Sequence, residues 1–330
     1  MSALHLDSPA AERLARDLLG WQQPRPEAPT GLAAELRDRL EAGCAALGEG
    51  LDRAAQAGRG GAVWVTKTSL ARLACDGWQR DPRPYEHTRA NVRGVLAHAA
   101  VERDWRDGRR ASASRVVEQV WVEEATRRPG DPASLSRWLN DCGDEDAEVL
   151  RGEVAELLEA FREVWPALPA DRVVAHLERP VTLRLAGGRV VLRGVPDLVL
   201  DSPRRDDRAR TLVVDLKTGL PRPEPDRAEL RFYALLITLR DGRPPFRWAT
   251  YHVPEGRMEA EDLRVVTLER TVARVLDGIG QAVRLATHPD DTGLLIRGGA
   301  WCRSCLREPD CPEAAAARAR YEAGMHDRGT

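Results

Sequence analysis

The sequence predicts an α/β fold: a central mixed sheet flanked by helices, with a helical region before it and a cysteine-bearing tail after it. Three observations carry that expectation. Runs rich in valine and leucine (Val181–Leu185, Val190–Leu192, Val195–Leu200, Val213–Leu216 and Arg247–Val253) gather in the second half of the chain and read as buried strands. Leucines and alanines recur at three- and four-residue spacing through residues 10–57, and residues 112–172 again read as helical, charged on the outside. With 330 residues and 42% hydrophobic content, the chain can bury the core of one large domain or two modest ones.

In chain order, residues 10–57 read as helices interrupted by Pro24, Pro26 and Pro29. Gly58-Arg59-Gly60-Gly61 ends that pattern. It is not a P-loop, because Lys67 lacks the preceding glycine of the Gly-Lys-Ser/Thr order. Thr66–Leu70 leads into a short helix carrying Cys75, with Thr68 or Ser69 as its expected N-cap. A helix over Thr88–Trp105 sets Gly94 and His98 four residues apart, on one face. The helical stretch over 112–172 breaks near Pro129–Pro132.

The sheet is expected to begin with a hairpin, its strands joined by Ala186-Gly187-Gly188-Arg189. Its second strand is expected to run on through Gly194 to Asp197 and Leu200. A polar link, Asp201–Arg210, leads to the strand holding Asp215 and Lys217. After the proline-rich Pro221–Pro225 comes a helix over Arg227–Leu239 with Glu229 and Tyr233 on one face, then the strand Arg247–Val253 and a long helix over Glu261–Ala286. The expected organisation is a helical region 1–60, a main domain 61–312 with a helical insert at about 112–172, and a tail 313–330.

A net charge of −2 excludes whole-protein attraction to nucleic acid, so any such binding must come from a local arginine face. No run of about 18 apolar residues suggests a membrane span, and Met1–Asp7 lacks the layout of a secretion signal. The expectation is a soluble, cytoplasmic protein. Of six cysteines, three form Cys302-x2-Cys305-x5-Cys311, a clustering that in a reducing compartment points to metal more than to disulfides. Cys44 and Cys142 have no neighbours at ligand spacing.

The chemistry concentrates in two acidic runs, Val195-Pro196-Asp197-Leu198 and Val213-Val214-Asp215-Leu216-Lys217. A carboxylate inside a buried strand is costly unless a cation neutralises it. Strand alternation puts Asp215 and Lys217 on one side. Lys217 is one of only two lysines among 50 basic residues, the other being Lys67. An ammonium is a compact charge with a tunable pKa, which a guanidinium cannot replace. Two carboxylates and one ammonium suit a divalent cation and an activated water, the outline of a phosphodiester-hydrolysing site.

The order of these parts, from Thr/Ser-Leu before Cys75 through Gly94-x3-His98, Gly194-x2-Asp197, Asp215-x-Lys217 and Glu229-x3-Tyr233 to the three C-terminal cysteines, resembles the PD-(D/E)XK nuclease superfamily. It is similar in particular to the RecB-type exonuclease branch with an iron–sulfur cluster, which includes the nuclease domain of AddB and the small exonucleases of CRISPR spacer adaptation. The resemblance implies a restriction-endonuclease-like sheet and hydrolysis of DNA with Mg²⁺ or Mn²⁺. The metal would be held by His98, Asp197, Asp215 and the Leu216 carbonyl, with Lys217 assisting. It implies that Tyr233 lies beside the active site and DNA; the family's glutamine is replaced here by Glu229. Cys75, Cys302, Cys305 and Cys311 match the ligands of a 4Fe–4S cluster, with Asp76 where proline is frequent; a structural Zn²⁺ is the alternative. DNA with single-stranded or free ends, and a helicase, are the implied partners. A non-catalytic DNA-end-binding or scaffold subunit, and an RNA nuclease, are the competing readings.

Overall fold

The computed structural model describes residues 6, 8–127, 134–169, 171–204 and 206–326. The expected break near Pro129–Pro132 lies outside them. Eight strands form in chain order: β1 (Val63–Val65), β2 (Val174–Leu177), β3 (Val181–Leu185), β4 (Val190–Gly194), β5 (Leu198–Asp201), β6 (Leu212–Lys217), β7 (Arg247–His252) and β8 (Arg257–Asp262). They make two mixed sheets, one of three strands in the order β1-β4-β3 and one of five in the order β2-β5-β6-β7-β8. The helices are α1 (Pro9–Arg13), α2 (Leu32–Ala46), α3 (Gly48–Ala57), α4 (Lys67–Ala71), α5 (Asp76–Arg80), α6 (Arg89–Arg106), α7 (Ala113–Thr126), α8 (Leu135–Asp141), α9 (Asp144–Val164), α10 (Pro223–Asp241), α11 (Val265–Thr287) and α12 (Pro312–His326). Among the described residues no helix is long and apolar enough to cross a membrane.

Alternation along β6 divides the interior. Leu212, Val214 and Leu216 join a core with Leu150, Leu158, Phe161 and Trp165 on one face of the five-stranded sheet. Val213 points the other way, into a core with Phe232, Tyr233, Leu236, Val272 and the inner faces of β1, β3 and β4. Asp215 and Lys217 share the parity of Val213, so both face α10. The segment 112–172 contributes α7–α9 to the first core, where Phe161 and Trp165 meet Tyr251 of β7 edge-on.

Four expectations need correction. The strand from Val190 does not run on to Leu200: β4 ends at Gly194, and the chain crosses to the other sheet before β5 begins at Leu198. Pro196 has no N–H for a ladder, and Gly194 sits where a Cβ would lie 2.7 Å from both Tyr233 and Leu236. Asp197 therefore stands in the bend between sheets, not inside a strand. The N-cap of the short helix before Cys75 is Thr66, not Thr68 or Ser69: its hydroxyl accepts from Ser69 N–H at 3.2 Å, and Ser69 Oγ accepts from Thr66 N–H at 2.8 Å. The last long helix starts at Val265, because Glu261 belongs to edge strand β8. Strands β1, β2 and β8 carry too few alternating apolar residues to read as strands; β8 is Arg-Met-Glu-Ala-Glu-Asp, the charged composition of a protected edge.

Candidate metal centre and active site

The site lies where the two sheets meet beneath α6. Asp197 enters from the bend between β4 and β5, and its Oδ2 accepts the Leu216 N–H of β6 at 2.6 Å. His98 descends from α6, whose Arg93 donates to the Thr218 carbonyl at 3.1 Å and so docks the helix over the end of β6. Glu178 follows β2 with a φ of 47°, a left-handed conformation that strains a non-glycine residue. Its N–H donates to the Asp197 carbonyl at 3.0 Å. His98 Nδ1 is 3.4 Å from Glu178 Oε1 and 3.5 Å from Asp197 Oδ1. One ligand atom from each of His98, Glu178 and Asp197 lies within 4.8 Å of the others. An imidazole and two carboxylates make a donor set that a divalent cation accepts.

Asp215 and Lys217 form the adjoining half. Lys217 Nζ lies 2.6 Å from Asp215 Oδ2, 3.3 Å from Glu229 Oε2 and 3.9 Å from Asp226 Oδ1. Glu229 projects from α10, and its Oε1, the oxygen not facing Lys217, accepts the Tyr233 hydroxyl at 2.9 Å and pairs with Lys67. Asp215 is outside the His98–Glu178–Asp197 group of ligand atoms. Leu216 reaches Asp197 through its N–H, while its side chain is buried in the core on the opposite face.

The charges respond to one another. Burial opposes ionisation throughout, and the balance differs at each group. Burial, together with the charges of Asp197 and Glu229, pushes Asp215 well above the ordinary carboxylate range, which Lys217 only partly offsets. Asp197 is lowered, because His98, the Leu216 N–H and Lys217 outweigh its burial. Burial raises Glu178 despite its bond to His98. Burial lowers His98, but Asp197 and Glu178 prevail and raise it well above the usual imidazole value. Burial opposes charge on Lys217, but Asp215 and then Glu229 raise it, and burial opposes charge on Glu229, but Lys217 and Lys67 lower it. Burial and Glu229 raise the Tyr233 hydroxyl, so it acts as a donor. The upward shifts of Asp215 and His98 share one cause, negative charge crowded into a buried site, and a divalent ion bound there would offset it.

Two residues of this constellation escaped the sequence reading. Glu178 lies in an exposed-looking segment, Leu177-Glu178-Arg179, without an apolar pattern to mark it. Lys67 had a usable signal: it is the one lysine besides Lys217, and both ammonium groups converge on Glu229. The acid in place of the family's glutamine is thus matched by a cation from α4.

Cys75 precedes Asp76, which bonds Gln281 and Arg284 near the C-terminal end of α11. Cys75 and Cys305 are buried, and Cys302 and Cys311 partly so. Burial pushes the Cys305 thiol up, with Cys75 and Cys302 acting in the same direction. Pro82 bridges Cys305, and Asp76 N–H donates to the Leu295 carbonyl at 3.0 Å. The Asp76 carboxylate, 1% exposed, accepts from Gln281, from Arg284 and from Leu295 N–H. The departure from proline is therefore a bonded hub between α5, α11 and the tail. Among the described residues no three of the four sulfurs lie within 4.8 Å of one another.

The sequence matches the PD-(D/E)XK nuclease superfamily over residues 69–312. Among curated proteins none matches. Of solved structures, that of SSO0001 aligns at 12% identity over 84% of this chain and 93% of that one, with a TM-score of 0.30, a likeness too loose to bear on fold or function. The matched span takes in Cys75, His98, Glu178, Asp197, Asp215, Lys217, Glu229, Tyr233 and the three C-terminal cysteines, and it stops just short of Lys67. With roughly three quarters of its length inside that match, the chain belongs to the PD-(D/E)XK nuclease superfamily.

Proposed function

We propose that the chain is a metal-dependent DNA exonuclease of RecB type, acting in DNA repair, recombination or defence from a nuclease domain over 61–312. The observation that carries this reading is the meeting of Asp197 and Asp215 with Lys217 at the junction of two sheets, under His98. His98, Asp197 and Asp215 would hold Mg²⁺ or Mn²⁺, with Glu178 and the Leu216 carbonyl as further donors. The cation supplies Lewis-acid stabilisation of the phosphodiester and the acidity of a bound water. Lys217, kept charged by Asp215 and Glu229, holds a fixed positive charge where negative charge develops on the scissile phosphate. Tyr233 donates to Glu229 and keeps that carboxylate turned toward the two lysines.

Cys75, Cys302, Cys305 and Cys311 are proposed to hold a 4Fe–4S cluster that ties α5 to the tail. Four thiolates on one zinc ion at about 2.3 Å would stand about 3.8 Å apart. The same four thiolates suit either group, and iron and sulfide content separates them. A non-catalytic scaffold gains nothing from two carboxylates buried close enough to raise the cost of ionisation, so the enzyme reading is preferred. The test is Mn²⁺-dependent cleavage of labelled DNA by wild type and by Asp197→Ala, Asp215→Ala and Lys217→Ala. Each variant should lose nearly all turnover, and double variants should lose little more, as for groups acting as a unit. Near-wild-type turnover by Asp215→Ala would sink the assignment. Single strands or frayed ends should be cut faster than blunt duplex, since the chain has no P-loop with which to drive unwinding, and a helicase partner should remove the difference.

A further inference from the structure

Resting on that nuclease reading, we propose that the outward face of the three-stranded sheet is a platform for a single strand of nucleic acid, with Trp64 as the base-stacking surface and Arg193 and Arg59 as phosphate contacts. The two faces of this sheet differ sharply. Inward lie Val63, Val65, Val190, Leu192, Val181 and Leu185, all in the second core. Outward lie Trp64, Arg193, Thr182 and Arg184, with Val191, itself buried, among them in the register. Register places Trp64 beside Val191, which in turn faces Arg184, and places Arg193 beside Thr182. An aromatic ring with arginines on an open sheet face is the chemistry that binds single strands without reading sequence.

Four further facts direct this face to nucleic acid and to the active site. An open cleft of about 840 Å³ runs along the β1 edge, lined by Arg59, Trp64, Thr66, Gln79, Arg193 and Leu285 among others, with no carboxylate in its wall. Arg59 lies over the Trp64 ring at 6.0 Å while its carbonyl accepts the indole N–H at 2.8 Å, which holds the ring in place. Arg193 reaches only Thr182 Oγ1, at 3.3 Å, and neither arginine has a carboxylate partner among the described residues. Finally, β1 and β4 are parallel, so both strands leave the platform at the same end. Trp64 is three residues from Lys67, and Arg193 four from Asp197. At ~3.3 Å per residue these spans are at most about 10 and 13 Å. A strand lying on Trp64 and Arg193 is thereby aimed at the carboxylates.

The experiment measures binding of a fluorescein-labelled oligo(dT) to the full chain in chelator, where no cleavage occurs. Trp64→Ala should weaken binding about 5- to 150-fold, the range of one lost base–aromatic stack, and Trp64→Phe should restore most of it. Arg193→Gln should flatten the salt dependence by about 0.7 in log–log slope, one phosphate contact on a single strand. Hydrolysis of bis(p-nitrophenyl) phosphate with Mn²⁺, which needs the metal centre but no platform, should be unchanged in all three variants. Wild-type affinity in both Trp64→Ala and Arg193→Gln overturns the proposal, as does Trp64→Phe binding as weakly as Trp64→Ala. If wild type hydrolyses no diester at all, the nuclease reading fails, while the binding measurements still decide the platform.

Discussion

Replacing Glu229 with glutamine, the residue that the family pattern places there, tests whether the two lysines and this acid form one unit. Glu229 Oε2 is 3.3 Å from Lys217 Nζ, and Oε1 pairs with Lys67. At an effective dielectric of about 20, the Lys217 contact alone has a gross Coulomb energy of ~5 kcal/mol. Most of this is offset, because the Glu229 side chain is only 10% exposed and its desolvation costs several kcal/mol. Neither lysine is stranded by the change. Lys217 keeps Asp215 at 2.6 Å, and Lys67, 48% exposed, returns to water. A glutamine oxygen can still accept from Tyr233. The expected loss is therefore about 1–2 kcal/mol, between the ≤1 kcal/mol of a surface pair and the 3–5 kcal/mol of an orphaned buried charge. For a chain of 330 residues that is a fall in melting temperature of about 1.5–3 °C. Thermal unfolding in chelator would be followed for Glu229→Gln, Lys67→Met and the double variant. The two changes should be coupled by about 0.5–1 kcal/mol, with Glu229→Gln costing less once Lys67 is gone. Zero coupling would refute the pairing of Lys67 with Glu229. A loss above 3 kcal/mol would refute the inference that Asp215 alone suffices to hold Lys217.

Two other outcomes follow from the geometry. His98→Ala and Glu178→Gln should each shrink the rise in melting temperature that Mn²⁺ produces in wild type, since a ligand stabilises only the state that binds it; an undiminished rise in Glu178→Gln would remove that residue from the metal centre. Protein purified without oxygen should be brown, with about four iron and four sulfide per chain, and Cys302→Ser should lower the melting temperature before it lowers cleavage; colourless protein with one zinc and no sulfide would decide for the alternative.

Local pattern was sufficient for most of what depends on neighbours in sequence, the Thr66 cap and the start of α11 excepted. The parity of Asp215 and Lys217, the hairpin of β3 and β4, the helix presenting His98 and the one presenting Glu229 with Tyr233 all follow from periods of 2 and 3.6, which a single element expresses on its own. Strand ends and edges were less legible. β1 has three residues and β8 a charged face, so their pairing partners, not their composition, make them strands. Pro196 hinted at a break, yet the apolar run around it reads as continuous until the chain is seen to change sheets there.

Residue order alone was enough for the α/β class, for the carboxylate, imidazole and ammonium types that meet at the candidate site, and for the rarity of lysine that marked Lys217. Packing was needed to show that Glu178 and not Asp215 completes the compact group with His98 and Asp197, and that Lys67 pairs with Glu229 from 162 residues away. It also decided that Asp76 binds α5 to α11 and the tail. The reason is physical: a buried charge takes whatever partner the packing brings within a few ångströms, and that distance is set by how sheets and helices stack, which no local period encodes.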